Sequence, residues 1–138
     1  MERSGLLSLH FGLITIVVAG LGADAFVHLD LATDYDGVRS SVLSQGDLFR
    51  AEGAAAVMAG IALVARPRWY TAVFALLVAA GGVAAVLVLR YVDVGALGPF
   101  PDMYEPVWYS QKVQSVWGEG AAAAAAFALL LLLLPRRK

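Results

Sequence analysis

Four apolar runs, at about 6–29, 48–65, 69–90 and 108–134, fill most of this 138-residue chain. Each is close to the ~20 residues a helix needs to cross the hydrocarbon layer of a bilayer. Lipid offers no water to backbone N–H and C=O groups, so a spanning segment must close its hydrogen bonds internally. The runs are rich in alanine and leucine and lack the two-residue alternation of a barrel strand. The expected fold is therefore all-α, a polytopic membrane protein with a single four-transmembrane-helix bundle. A hydrophobic share of 60% agrees, since soluble domains hold about 45–50%.

Local signals punctuate the runs. Asp47 is placed to cap the second helix by accepting from free first-turn amides. Arg66-Pro67-Arg68 ends that helix and leaves a short hairpin into the third. Glu105-Pro106 suggests the start of the fourth, with proline where a missing N–H is harmless, and Pro135 closes it. Ala23-Asp24-Ala25 has the small-x-small form of a signal cleavage site. The apolar run before it is long for a signal core, and residues 1–4 carry one acid and one base. A retained first span is expected.

Charge sets the orientation. Arg3, Arg66, Arg68, Arg136, Arg137 and Lys138 fall on one side of a four-span arrangement, which the positive-inside rule makes cytoplasmic. The expectation is N-in/C-in in the cell (plasma) membrane, with two longer loops, about 30–46 and 91–109, facing outward. Ten of the eleven acids, all but Glu2, lie on or near that outer half. Tyr91, Tyr104, Trp108, Tyr109 and Trp117 gather there as an interfacial belt. No basic stripe points to nucleic acid. The absence of cysteine excludes disulfides, thiol redox chemistry and thiolate metal sites. Expected partners are membrane lipids, with the basic tail suited to anionic headgroups, and a homo-oligomer or larger membrane complex.

One motif recurs inside the spans. Glu52-Gly53-Ala54-Ala55-Ala56 returns as Glu119-Gly120-Ala121-Ala122-Ala123. A carboxylate within a membrane span is costly and marks a functional site by default. Taken from Ala65, Glu52 stands roughly 20 Å up its helix, and from Leu134, Glu119 stands roughly 22 Å up its own. Both fall in one layer below the outer boundary, on parallel helices whose small residues permit close approach. Ser44-Gln45 and Ser110-Gln111 precede the two copies, which suits duplication of a helical hairpin or chance alignment of alanine-rich helices. Asp24 and His28, at i and i+4, share a face above the glutamates. Arg50 and Arg90 lie at the outer ends of their helices. An outward vestibule containing Asp24, His28, Arg50, Glu52, Arg90 and Glu119 follows.

Several chemistries fit such a vestibule. The charges can pair and fix helix register, Glu52 with Arg90 or Asp24 with Arg50. The group can bind or pass an ion, a proton or a small polar ligand. His28 with Asp24, Glu52 and Glu119 can hold a divalent metal, and one imidazole among hard carboxylates suits zinc, manganese or iron. Catalysis has the weakest motif support. Ser40, Ser41, Ser44 and Ser110 are candidate partners for His28, yet no GxSxG pattern occurs. Glu52 or Glu119 as general acid or base on a lipid remains open. His10 lies roughly 27 Å from His28 along the axis, so the two cannot share a haem, and a polar contact to a neighbouring helix is expected. The turn-rich segment 95–106 is either a lid over the vestibule or a connector.

The ending His28-Leu29-Asp30-Leu31 of the first span, with Leu48-Phe49 opening a small-residue second span, resembles uncharacterised four-span membrane proteins of actinobacterial type. That resemblance implies an integral membrane protein of about this size and carries no activity. The function expected is a membrane protein with an outward-facing charged vestibule, binding a small ligand or ion or serving as an accessory subunit. The alternative is a membrane-embedded metal-dependent enzyme acting at the outer leaflet.

Overall fold

The computed structural model describes residues 2–135. Helix α1 (Glu2–Leu31) is followed by a short 3-10 turn (Thr33–Tyr35), then α2 (Gln45–Ala65), α3 (Trp69–Tyr91) and α4 (Ser110–Leu133). All four helices are long and apolar enough to cross a membrane, and the described residues form no strand beyond two isolated bridges. The all-α, four-helix membrane bundle expected from the apolar runs is the observed fold. The basic tail Arg136-Arg137-Lys138 lies outside the described residues.

The helices alternate in direction. One end of the bundle carries the α2–α3 hairpin and the start of α1; the other carries the two long loops and is called the loop end below. α1 packs on α2 and α4, and α3 packs on the same two, so α1 and α3 stand diagonally opposed. The core is built from small residues and a few leucines: Val17, Leu21, Ala56, Ala59, Leu63, Ala72, Ala75, Ala79, Ala122, Ala126 and Leu129. Lipid gives helices no hydrophobic drive to associate, so contact rests on dispersion across closely approaching backbones. The tightest approach is between α1 and α4. A Cβ on Gly20 would strike the Gly118 carbonyl oxygen and stand 2.9 Å from the Ala122 Cβ.

That packing changes partway along α3. Its buried residues are Thr71, Ala72, Ala75, Ala79 and Gly82, and none follows between Gly82 and the helix end at Tyr91. The hairpin half of the bundle is solid, and the loop half is hollow.

The helix ends explain two departures from expectation. Ser44, rather than Asp47, is the N-cap of α2. Its hydroxyl accepts from the Asp47 N–H at 3.0 Å, and the Asp47 carboxylate accepts from the Ser44 N–H at 2.9 Å, a reciprocal capping box. Asp47 is thus the third helical residue. α4 begins at Ser110, later than Pro106 suggested, because 105–109 is held extended. The Glu105 N–H donates to the Leu89 carbonyl at 3.0 Å, and the Lys112 ammonium donates to the carbonyls of Glu105 and Val107 at 2.8 and 2.9 Å. The loops are also tied to each other, the Ser40 hydroxyl donating to the Pro99 carbonyl at 2.6 Å.

Candidate functional site: a carboxylate–imidazole layer beneath a cavity

The inward stripe of α1 runs Val17, Gly20, Leu21, Asp24, Ala25, Val27, His28, Leu31. Helical period therefore puts Asp24 and His28 in line with core residues rather than on the lipid face. The inward stripe of α4 runs Lys112, Ser115, Glu119, Ala122, Ala126, Leu129. Glu119 occupies a core position by the same rule. Opposite it, α3 presents Gly82, where a Cβ would collide with the Glu119 carboxyl. Glycine at 82 leaves the room in which that carboxyl sits.

These groups meet. The Asp24 Oδ1 lies 2.7 Å from His28 Nδ1, which also lies 3.0 Å from the Asp24 carbonyl oxygen. The Ser115 hydroxyl donates to the same Asp24 Oδ1 at 3.3 Å. One ligand atom each from Asp24, His28 and Glu119 falls within 4.8 Å of the other two. Asp24 and Glu119 are fully buried and His28 is 9% exposed. Glu52, less deeply buried, lines the cavity beside His28. Of the two glutamates, Glu119 is the one grouped with Asp24 and His28. Phe49 fixes the imidazole from the side, with the two rings edge to face at 5.0 Å.

The layer is short of hydrogen-bond donors. Asp24 Oδ2, Glu52 Oε1 and both Glu119 carboxyl oxygens are buried without a partner. Three carboxyls and one imidazole carry at most one balancing charge. Unpaired charge in low dielectric is expensive, so the layer must take up protons or a cation.

The cations named from the sequence lie elsewhere. Arg50 grips Asp36 with two bonds of 2.7 and 2.9 Å and reaches Asp47 at 3.4 Å. Its guanidinium holds the Asp36 carboxyl below the usual carboxylate range. Arg90 stacks over the Tyr91 and Trp108 rings, at 4.8 and 5.7 Å from their centroids. Neither arginine lines the cavity, and neither makes the pairing with Asp24 or Glu52 that charge balance suggests. Of the expected serines, Ser44 caps α2 and Ser40 ties the loops; the serine that meets the layer is Ser115. His10 turns to its own helix, Nδ1 lying 2.7 Å from the Leu6 carbonyl oxygen.

Above the layer, a cavity of about 500 Å³ fills the hollow half of the bundle. His28, Glu52, Gly82 and Ser115 line its deep end, with apolar walls from Leu48, Phe49, Val86 and Leu89. Phe100 and Met103 reach it from the loop between α3 and α4, so that segment does fold back over the vestibule. Lys112, buried and pinned to the loop carbonyls, is the cation that lines the cavity. Sequence reasoning passed over it, although its spacing with Ser115 and Glu119 marks one helix face. Beside it, the Tyr35 hydroxyl donates to Glu105 at 2.7 Å and lies 2.9 Å from the Tyr109 hydroxyl. Burial lifts both phenols above their ordinary range, and for Tyr35 the contacts with Tyr109 and Glu105 add to it.

Set against family models, curated proteins and solved structures, the chain finds no match in any of the three comparisons.

Proposed function

We propose that this is a multi-pass protein of the cell membrane, with both termini in the cytoplasm, whose outward-facing vestibule binds a small ligand or ion. The binding centre is the layer of Asp24, His28, Glu52 and Glu119. The orientation rests on the basic residues of the hairpin end. The binding role rests chiefly on one observation: a cavity lined by His28 and Glu52 ends on buried carboxyl oxygens that have no partner. Buried polar atoms in folded proteins are nearly always satisfied, and an unsatisfied set beneath a cavity is what a ligand site looks like when empty of protein partners. The affinity with uncharacterised actinobacterial-type four-span proteins belongs to the same proposal.

The absence of native cysteine makes the test clean. Ala85→Cys lines the cavity and Ala75→Cys lies in the solid core. On intact cells, a membrane-impermeant maleimide should label the first and spare the second. In detergent, a panel of metal cations and small amines at constant ionic strength should contain at least one member that raises the unfolding temperature. That rise should be lost in both Asp24→Asn and Glu119→Gln. An unlabelled Ala85→Cys, or a rise that survives both substitutions, would end the reading.

A further inference from the structure

We infer that Asp24, His28 and Glu119 form a three-residue site for a divalent transition-metal ion, with zinc as the reference occupant, seated directly under the cavity. The inference deepens the vestibule reading above and rests on it for access.

Geometry comes first. Three different ligand side chains from two helices offer atoms that all lie within 4.8 Å of one another. A first-row ion bound at about 2.0–2.2 Å to nitrogen and oxygen needs ligand atoms about 3–4 Å apart, so small rotamer adjustments suffice. The carboxyl of Glu119 is fully buried, with neither oxygen bonded, and Asp24 Oδ2 is likewise free. Buried carboxyl oxygens with no donor are what a cation would satisfy.

Charge comes second. Two carboxylates and a neutral imidazole around a divalent ion sum to zero, the arrangement that low dielectric tolerates best. Arg50 and Arg90 are engaged elsewhere and Lys112 is committed to loop carbonyls, so none of these three cations fills the place. One imidazole among oxygens favours zinc, manganese or iron over magnesium or calcium. Three protein ligands would leave a coordination position for a further ligand, and Glu52 lines the cavity together with His28. Ser115, donating to Asp24 Oδ1 at 3.3 Å, is the outer partner that steadies one ligand.

The test uses the full chain, purified through a tag without histidine, in detergent. After chelation and dialysis against zinc, elemental analysis should find about one equivalent per chain. Glu119→Gln and Asp24→Asn should weaken uptake about 100-fold or more. Ser115→Ala should weaken it within the roughly 10–100-fold range of an outer partner. Glu52→Gln and the distant Asp36→Asn should keep the metal. X-ray absorption on the zinc-loaded protein should report one imidazole within a nitrogen–oxygen shell. A folded wild-type chain that takes up no zinc, manganese or iron overturns the inference whatever the variants do. Equal loss in Glu52→Gln overturns the three-ligand assignment. If metal is absent while Ala85→Cys is labelled and another ligand stabilises the protein, the metal inference falls alone. If zinc is held but Ala85→Cys stays unlabelled, the vestibule reading falls and the metal site stands.

Discussion

Glu119→Gln should make the ligand-free protein more stable, although it alters a fully buried residue. Glutamine has nearly the same shape as glutamate, so the fit against Gly82 is kept and no cavity opens. What changes is donor count. Wild-type Glu119 leaves both carboxyl oxygens unpartnered, and Asp24 leaves Oδ2 unpartnered. The amide of glutamine can donate to the Asp24 carboxylate, which lies within 4.8 Å of the Glu119 carboxyl, without a proton being taken up first. It also removes one ionisable group from a dry layer. A buried polar group left unmade costs about 1–3 kcal/mol, and a formed hydrogen bond contributes about 1 kcal/mol net. The expected gain is therefore about 1 kcal/mol, the net worth of one hydrogen bond.

The measurement is equilibrium unfolding in mixed micelles near neutral pH, with a chelator present throughout. Wild type and Glu119→Gln should unfold in that order as denaturant rises. Saturating zinc should reverse the order, because wild type alone would gain binding linkage of about 2.7 kcal/mol at a free concentration of 100 times Kd. A chelated Glu119→Gln variant that is folded but less stable than wild type by about 1 kcal/mol or more would refute the reasoning. It would mean that Glu119 contributes to stability as it stands, and that its missing partners are not a cost.

Two further outcomes test the frame around the site. Gly20→Leu should separate α1 from α4 and lose about 1–3 kcal/mol by overpacking, since even a Cβ there meets Gly118 and Ala122; Gly22→Ala, with open space around it, should unfold like wild type in the same assay. The Asp36–Arg50 pair should give the loop end an acid-sensitive component. The folded pKa of Asp36 is depressed, so this stabilisation is present above the unfolded value of about 3.9 and is lost as pH falls through the lower folded value. Hydrogen exchange of the 32–44 segment should speed up as pH falls through that window, after correction for intrinsic rates, and Asp36→Asn should remove the pH dependence.

Much of the fold was legible because lipid leaves few choices. Four runs of spanning length, with proline and arginine between the middle two, admit little besides a four-helix bundle. Helical rise puts Glu52 and Glu119 in one layer; in the structure Glu119 is grouped with Asp24 and His28, and Glu52 lines the same cavity as His28. What sequence could not supply was azimuth and partner choice. Arg50 stands two residues from Glu52 in the chain, yet a two-residue step turns the helix by more than half a circle, and the side chain goes to Asp36 in the loop. Arg90 had aromatic faces close by, and cation–π contact competes with a more distant carboxylate. Lys112 and Ser115 were readable in hindsight of spacing alone, since 112, 115 and 119 fall on one helix face.

The position of the layer follows from where close packing stops. Below it, alanines at 56, 59, 72, 75, 79, 122 and 126 let four backbones converge, and a carboxyl there would have no room. Above it, α3 buries nothing after Gly82, and the loop held by Lys112 and by the Leu89 carbonyl brings Phe100 and Met103 to the cavity wall. Glu119 sits at the boundary because Gly82 yields the volume of one side chain to it. A larger residue at 82 would have filled that volume with protein. The repeated Glu-Gly-Ala-Ala-Ala motif thus serves two ends in a single helix turn: small residues that bring backbones together, and one acid placed where they begin to part.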